Sequence, residues 1–512
     1  MNVLLITCDQ WRGDCLSARG HPVARTPAAD ALAARGVLFA RHYCQAAPCS
    51  PARASLLTGL YQMNHRVCRN GTPLDDRHDN IARAARRLGY EPVLFGYTDT
   101  GIDPRGLDPA DPRTRTYEGV LPGFVQRRPL PEESGPWLQW LRRHGVAVPD
   151  CGLDVYLPAE GPADPPSGAP ARFPADRSEA AFLAEGFIDY ASEMGASPWF
   201  AHVSFLRPHP PFIAPAPYNA LVKPEAVPDF VRAPSLAQER AGHPFLAYAL
   251  AGQRKGDFVY GAEGLATDWD DAARRRIRAT YYGLLAEVDA QVGRMIAHLE
   301  RIGRLDDTLV VLTTDHGEML GDHYLFGKLG YFDQSFHIPL IVAGPGVVGG
   351  RRVEAFTESV DVMPTVIDLL GAAVPRAVDG RSLRPFLQGR DAEGWRDAAH
   401  WEFDFREVAT GAAQRALGLD LDDCALGVLR DDAFKYVHFT ALPPLLFDLA
   451  RDPGELCNRA EDPDYAAVRL RYAERMLAWR ARHLDRTLSG IELHPSGMVA
   501  AGRAETNQFG PN

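Results

Sequence analysis

Apolar runs of strand length that stop abruptly at polar or acidic residues, with helical segments between them, constrain this chain more than any other feature. Residues 2–7 (NVLLIT) lead straight into Cys8-Asp9-Gln10, and residues 307–314 (DTLVVLTT) into Asp315-His316-Gly317-Glu318. Residues 199–205 (WFAHVSF) run into Arg207-Pro208-His209-Pro210, and residues 91–97 (EPVLFGY) into Thr98-Asp99. Further runs lie at 37–43 and 338–344. Helices are predicted over 26–36, capped by Thr26 and ended by Gly36, and over 78–88, 177–194, 271–303 and 361–371. The longest places Ile277, Tyr281, Leu284, Leu285, Val288, Val292, Ile296 and Leu299 on one stripe. Such alternation predicts an α/β fold, a large and mostly parallel sheet sandwiched by helices. Ligands of such sheets bind beyond the carboxyl ends of the strands, which is where the carboxylates stand.

The pattern dissolves into Pro, Gly, Asp and Arg over about 101–175 and again over about 213–270. These stretches read as insertions in a catalytic domain spanning 1–390, the first of them made of loops and short helices that shape a pocket wall. From 391 to 487 short strands (400–405, 424–430, 435–439, 445–449) and a helix (464–484) predict a smaller C-terminal subdomain, an antiparallel sheet with a helix on it. The tail, 488–512, reads as disordered or docked on a partner subunit. A net charge of −11 without any basic-aromatic stripe argues against nucleic-acid binding. An acidic protein that handles anions needs local positive charge, from a metal or a few placed cations. No apolar run approaches the ~20 residues of a membrane span. The opening MNVLLITCDQW lacks a basic n-region, and the eight cysteines show no disulfide or zinc-ribbon spacing. Free thiols and a cytoplasmic location are the expectation, with neither nucleic acid nor membrane as partner.

Residues 44–59, CQAAPCSPARASLLTG, place a thiol, Cys49, where a helix begins. Pro51 suits a first helical turn, Ala52 to Leu57 are good helix formers, and Gly59 is a stop. Backbone N–H groups and the helix dipole favour negative charge there, so the spot suits a sulfate- or phosphate-like group. Asp9, Gln10, Asp315 and His316, converging with Cys49, would form a divalent-metal site of two carboxylates, an amide and an imidazole. Its imidazole favours manganese, with calcium second and zinc third.

Cys49-Ser50-Pro51-Ala52-Arg53 followed by Leu-Leu-Thr-Gly resembles the signature of the type I sulfatases of the alkaline phosphatase superfamily, whose cysteine is oxidised to formylglycine. From NVLLITCDQWR to YVHFTALPPLLFDL the chain looks like the phosphonate monoester hydrolases, cytoplasmic bacterial relatives of arylsulfatases. The pairs Asp9-Gln10 and Asp315-His316 place it in that branch, since ordinary sulfatases read Asp-Asp and Asp-Asn at these points. The resemblance implies metal ligands at Asp9, Gln10, Asp315 and His316, formylglycine at Cys49, and a steadying arginine at Arg53. It implies that Asn70, Tyr97, His209 and Lys328 contact the transferred or leaving group. It also implies maturation by a formylglycine-generating enzyme and a homotetramer, or a homodimer. One position departs: Asp99 stands where the branch has threonine. A carboxylate there would repel an anion unless it turns away, pairs with Lys328 or another cation, or meets a positively charged substrate group.

The expected activity is hydrolysis of small anionic esters: phosphonate monoesters first, with promiscuity toward phosphodiesters and sulfate or sulfonate monoesters. The hydrated aldehyde from Cys49 would attack, with Asp315 or a neighbour taking its proton and His209 or Lys328 protonating the leaving group. A covalent hemiacetal ester would then collapse to release product. The rivals are a cytoplasmic arylsulfatase or alkylsulfatase, a superfamily phosphotransferase using an unmodified nucleophile, and an inactive anion-binding module.

Overall fold

The computed structural model describes residues 1–495 and 497–500. A nine-stranded sheet runs through it. Its strands are β1 (Asn2–Cys8), β2 (Val37–Tyr43), β3 (Pro92–Gly96), β4 (Val125–Pro129), β5 (Phe200–Phe205), β6 (Thr308–Thr313), β7 (His337–Ile338), β8 (Leu340–Ala343) and β9 (Arg351–Glu358). The order is β4-β3-β5-β1-β6-β8-β2-β7, with β9 on β2. From β4 across to β6 every pairing is parallel. β8 is antiparallel to both β6 and β2, and β9 is parallel to β2.

The central strand shows why the sheet is covered on both faces. Leu4 and Ile6 of β1 join one apolar core with the helices Pro27–Arg35, Glu179–Glu193 and Asp271–Arg301. Val3 and Leu5 join a second with Cys49–Thr58, Ile81–Arg87 and Val362–Leu369. Each such side chain removed from water stabilises the fold by roughly 1.5–3 kcal/mol. The predicted stripe of Asp271–Arg301 is buried apart from the half-buried Ile296.

A second sheet of β10 (Ala399–Asp404), β11 (Ala425–Arg430), β12 (Phe434–Phe439) and β13 (Leu445–Asp448) is antiparallel throughout, with the helix Ala466–Arg482 against it. It packs on the large sheet through a third core in which Trp401 stacks on Tyr43 and Phe336, ring centroids 5.5 and 5.1 Å apart. Among the described residues no helix is long and apolar enough to cross a membrane, and all eight cysteines are free.

Several local expectations need correction. The stretch 101–175 supplies, besides short helices such as Gly135–Arg143, an edge strand, β4, which its Pro/Gly-rich composition concealed. The run 338–344 is broken at Pro339 into two short strands antiparallel to β2, and β9 escaped notice because its alternation is half-polar. Thr26 stands at the helix cap, but its hydroxyl accepts from Ser17 N instead of from the helix. The tail contains a hairpin, Ile491–His494 with Gly497–Ala500, on which Leu493 is exposed; the rest of that expectation, 501–512, lies outside the described residues.

One buried acid gives a test of the long helix. Burial pushes Glu287 from its ordinary 4.5 up to about 8, and Ser178 is its hydrogen-bond partner. The folded state therefore prefers the protonated form, so stability falls as pH rises from about 4.5 to about 8 and then levels. Relative to the parent, Glu287→Gln is expected to gain roughly 3 kcal/mol between pH 5 and pH 8.5 in urea unfolding. A difference that stays constant with pH would refute this.

Candidate active site

Four adjacent parallel strands, β3, β5, β1 and β6, present their carboxyl ends to one edge, and each delivers a residue there. β1 delivers Asp9 and Gln10, β6 delivers Asp315 and His316, β3 delivers Tyr97, and β5 carries Ser204 next to its last residue and leads to His209. Tight approach is built into this edge. Gly96 has φ +101°, and a Cβ on it would lie 2.1 Å from the Ser204 carbonyl oxygen. Gln10 has φ 71°, a conformation that non-glycine residues adopt rarely and mostly where function demands it.

The helix Cys49–Thr58 points its first residue into this edge and ends at Gly59, φ 71°. Asn70 accepts from the Ser50 backbone N–H at 3.0 Å, so it satisfies one of the helix's free N-terminal donors. Cys49 Sγ lies 3.3 Å from His316 Nε2 and 4.0 Å from Asp9 Oδ1. Ligand atoms of Asp9, Cys49, Asp315 and His316 all fall within 4.8 Å of one another, and all four residues are buried.

Arg53, one turn after Cys49, is 1% exposed and ties the group together. Its Nη2 donates to Asp9 Oδ2 and its Nε to Asp315 Oδ2, both at 3.0 Å, and its Nη1 to Ser204 Oγ at 2.7 Å. Its guanidinium lies over the Tyr97 ring, and the Tyr97 hydroxyl donates to Asp9 Oδ2 at 2.7 Å. Asp99, φ 48°, settles against the same arginine, Oδ2 to Nε 3.8 Å, and not against Lys328. Burial pushes its carboxyl up to about 7.

Gln10 sits against the cluster. Its backbone N–H donates to Asp315 Oδ1 at 3.2 Å, its side-chain oxygen accepts from Lys328 Nζ at 2.8 Å, and its side-chain nitrogen donates to Glu318. Lys328 Nζ also lies 3.0 Å from His209 Nε2, while His209 Nδ1 lies 2.7 Å from the Pro210 carbonyl oxygen. That carbonyl holds the ring proton on Nδ1 and leaves Nε2 to accept from the lysine. Burial, reinforced by Lys328, pushes His209 down to about 3. Burial opposes the charge on Lys328, but the Cys49 sulfur and nearby carboxylates raise it above its ordinary value. Burial likewise opposes ionisation of Asp9, yet the surrounding cations hold it well below the usual carboxylate range. Cys49 moves the other way, raised by burial and by Asp9, so the unmodified thiol is a poor nucleophile here.

The donor set fits a divalent cation. His316 Nδ1 lies 3.1 Å from the Gly317 carbonyl oxygen, which turns the Nε2 lone pair toward Asp9 and Asp315, 3.8 Å from a carboxylate oxygen of each. Burial also lowers His316, favouring the neutral, ligating form.

A cavity of about 370 Å³ opens onto Gln10, His209 and Lys328. Its apolar wall comes from Phe245, Phe258 and Phe326 together with Phe403 and Phe405 at the end of β10. No residue of 101–175 lines this cavity, while Tyr156, Pro158 and Ala163 of that insertion line a second, smaller one. Sequence reasoning missed these rings because they are far apart in the chain. It also missed the role of Glu318, whose carboxylate receives Gln10 and the backbone N–H groups of Leu320 and Gly327. A carboxylate closing Asp-His-Gly-Glu after the strand TLVVLT was the available signal.

Residues 1–372 match the family described as Sulfatase, and residues 321–482 match the family described as N-sulphoglucosamine sulphohydrolase, C-terminal. The chain is 44% identical over 507 residues to the multifunctional alkaline phosphatase superfamily protein PehA of Trinickia caryophylli, covering 97% of this chain and 98% of that protein. The crystal structure of the phosphonate monoester hydrolase of Agrobacterium radiobacter superposes with TM-score 0.95 at 55% identity. The phosphonate monoester hydrolase from Silicibacter pomeroyi superposes with TM-score 0.92 at 42% identity. Each alignment covers 98% of this chain and 99% of the other.

Proposed function

This chain belongs to the sulfatase family and is an ester-bond hydrolase, and from that premise we propose that it cleaves phosphonate monoesters with a formylglycine made from Cys49. Phosphodiesters and sulfate or sulfonate monoesters are its slower substrates. The observation that carries this reading is Cys49 itself: the first residue of a helix, with its sulfur inside the buried Asp9, Asp315 and His316 cluster. The printed names of the similar proteins, two phosphonate monoester hydrolases and a multifunctional relative, point the same way.

Hydrated formylglycine supplies one hydroxyl as nucleophile and a second whose collapse frees the product. Asp9, Asp315 and His316, with Gln10 as the remaining donor, would hold a divalent cation, which would supply Lewis-acid polarisation of a non-bridging oxygen. Manganese is the first choice, calcium the second and zinc the third. Asp315 or its neighbour Asp9, whose carboxylate lies 4.0 Å from the Cys49 sulfur, receives the nucleophile's proton. Arg53 keeps those two carboxylates apart and fixed. Lys328 and His209, at the floor of the aromatic cavity, stabilise charge on the transferred group and protonate the departing oxygen. Asn70 and Tyr97 frame the substrate. Asp99, kept protonated by burial up to about pH 7, does not repel it there.

In this reading residues 1–390 carry the chemistry, 391–487 supply part of the outer pocket wall, and the protein assembles as a homotetramer or a homodimer. Cys49 is 5% exposed, so the formylglycine-generating enzyme must reach it before the fold closes. The deciding experiment compares kcat/KM for a phenyl phosphonate monoester and an aryl sulfate, alongside mass spectrometry of the Cys49 peptide. An intact thiol in fully active enzyme would sink the formylglycine reading. A higher kcat/KM for the sulfate would make the protein an arylsulfatase.

A further inference from the structure

The loop that carries His209 is wrapped around a buried ion pair. Arg207 Nη1 donates to the carbonyl oxygens of His209 and Pro211, both at 2.9 Å, and its Nη2 donates to Glu179 Oε1 at 2.6 Å. Tyr156 donates its hydroxyl to the same Glu179 oxygen at 2.7 Å, and the guanidinium lies 5.4 Å from its ring centroid. Arg207 and Glu179 are each 1% exposed, and Tyr156 4%. Glu179 opens the helix Glu179–Glu193 behind its cap Ser178, so the clamp joins three separate stretches of chain at the root of one loop. A buried ion pair adds little net stability, because desolvation offsets most of its attraction. What this one does is fix where the 207–211 backbone runs. That backbone in turn sets the Pro210 carbonyl, which holds the proton of His209 on Nδ1 and leaves Nε2 facing Lys328.

We infer that Glu179, Arg207 and Tyr156 are positioning residues that aim His209 at Lys328 so the pair can protonate the leaving group. The inference rests on the role given to His209 and Lys328 above. As the P–O bond breaks, the departing oxygen takes a proton from this pair, and water later restores that proton. Nothing in the clamp touches Asp9, Asp315 or Cys49 among the hydrogen bonds of these side chains, so nucleophilic attack should proceed without it.

The two roles separate by leaving group, since a poor leaving group needs its proton and an acidic phenol does not. Glu179→Gln is expected to lower kcat on a phenyl ester by about 10–100-fold, and on the para-nitrophenyl ester by less than about 3-fold. Tyr156→Phe removes one hydrogen bond and should show the same selectivity at about 3–10-fold, which keeps the test available if Glu179→Gln fails to fold. Equal losses on the two esters, or no loss with either variant, would overturn the inference, because a merely structural clamp has no preference between leaving groups. His209→Ala measured in parallel separates the two levels. If His209→Ala is selective and the clamp variants are not, only the positioning role falls. If His209→Ala shows no selectivity, the assignment of His209 falls and the clamp's role with it.

Discussion

Cys49→Ala is expected to reduce turnover by about 10⁵-fold or more on every ester class at once, since it removes the nucleophile and leaves only binding and charge stabilisation. The loss should come without a large fall in stability, because alanine is a good helix former and the cluster's remaining contacts run through Arg53. Cys49→Ser discriminates more sharply. Its single hydroxyl stands where the hydrated aldehyde has two, so it can attack once but has no second hydroxyl to collapse. Single turnover followed by arrest is therefore the expected course, with the mass of the transferred group added to the peptide that carries the substituted serine. Sustained multiple turnover by Cys49→Ser would show that an ordinary hydroxyl suffices, and the formylglycine step would have no purpose. Loss on sulfates alone, with phosphonates still hydrolysed by Cys49→Ala, would mean that two different nucleophiles serve the two classes.

The convergence of Asp9, Cys49, Asp315 and His316 was legible in the sequence because these residues lie at places where local pattern breaks. An apolar strand that ends in Asp9 or Asp315 announces a carboxylate at the sheet's carboxyl edge, and Cys-x-Pro-x-Arg announces a helix start with a cation one turn on. Strand order was beyond reach, since β4 and β9 lie in stretches whose composition gives no clean alternation and whose pairing depends on partners far along the chain. The same holds for the cavity wall: Phe245 and Phe403 become neighbours only after the two sheets pack on their common core. The partner of Asp99 was also open in the sequence. Its left-handed backbone turns the carboxylate toward Arg53, a choice made by chain geometry and not by residue type.

Removal of the divalent cation should cost on the order of 10³-fold or more in kcat/KM, and the reason is charge balance as much as Lewis acidity. The carboxylates of Asp9 and Asp315 face the guanidinium of Arg53 and the ammonium of Lys328, while burial favours the neutral forms of His209 and His316. Protein groups alone thus leave the centre at most near neutrality, and negative where Glu318 or, above about pH 7, Asp99 is ionised. Such a site has no net attraction for an anionic ester, whereas two added positive charges give it one. Chelation should therefore raise KM as well as lower kcat, and manganese should restore both. Binding at a hundred times Kd also stabilises the folded protein by about 2.7 kcal/mol, so the metal should raise Tm in the absence of any substrate. Asp315→Asn keeps the shape of the side chain while removing one charge and weakening the site, so it should abolish that Tm response together with activity. Chelated enzyme that keeps its turnover and its Tm would mean that Arg53 and Lys328 handle the substrate's charge without help.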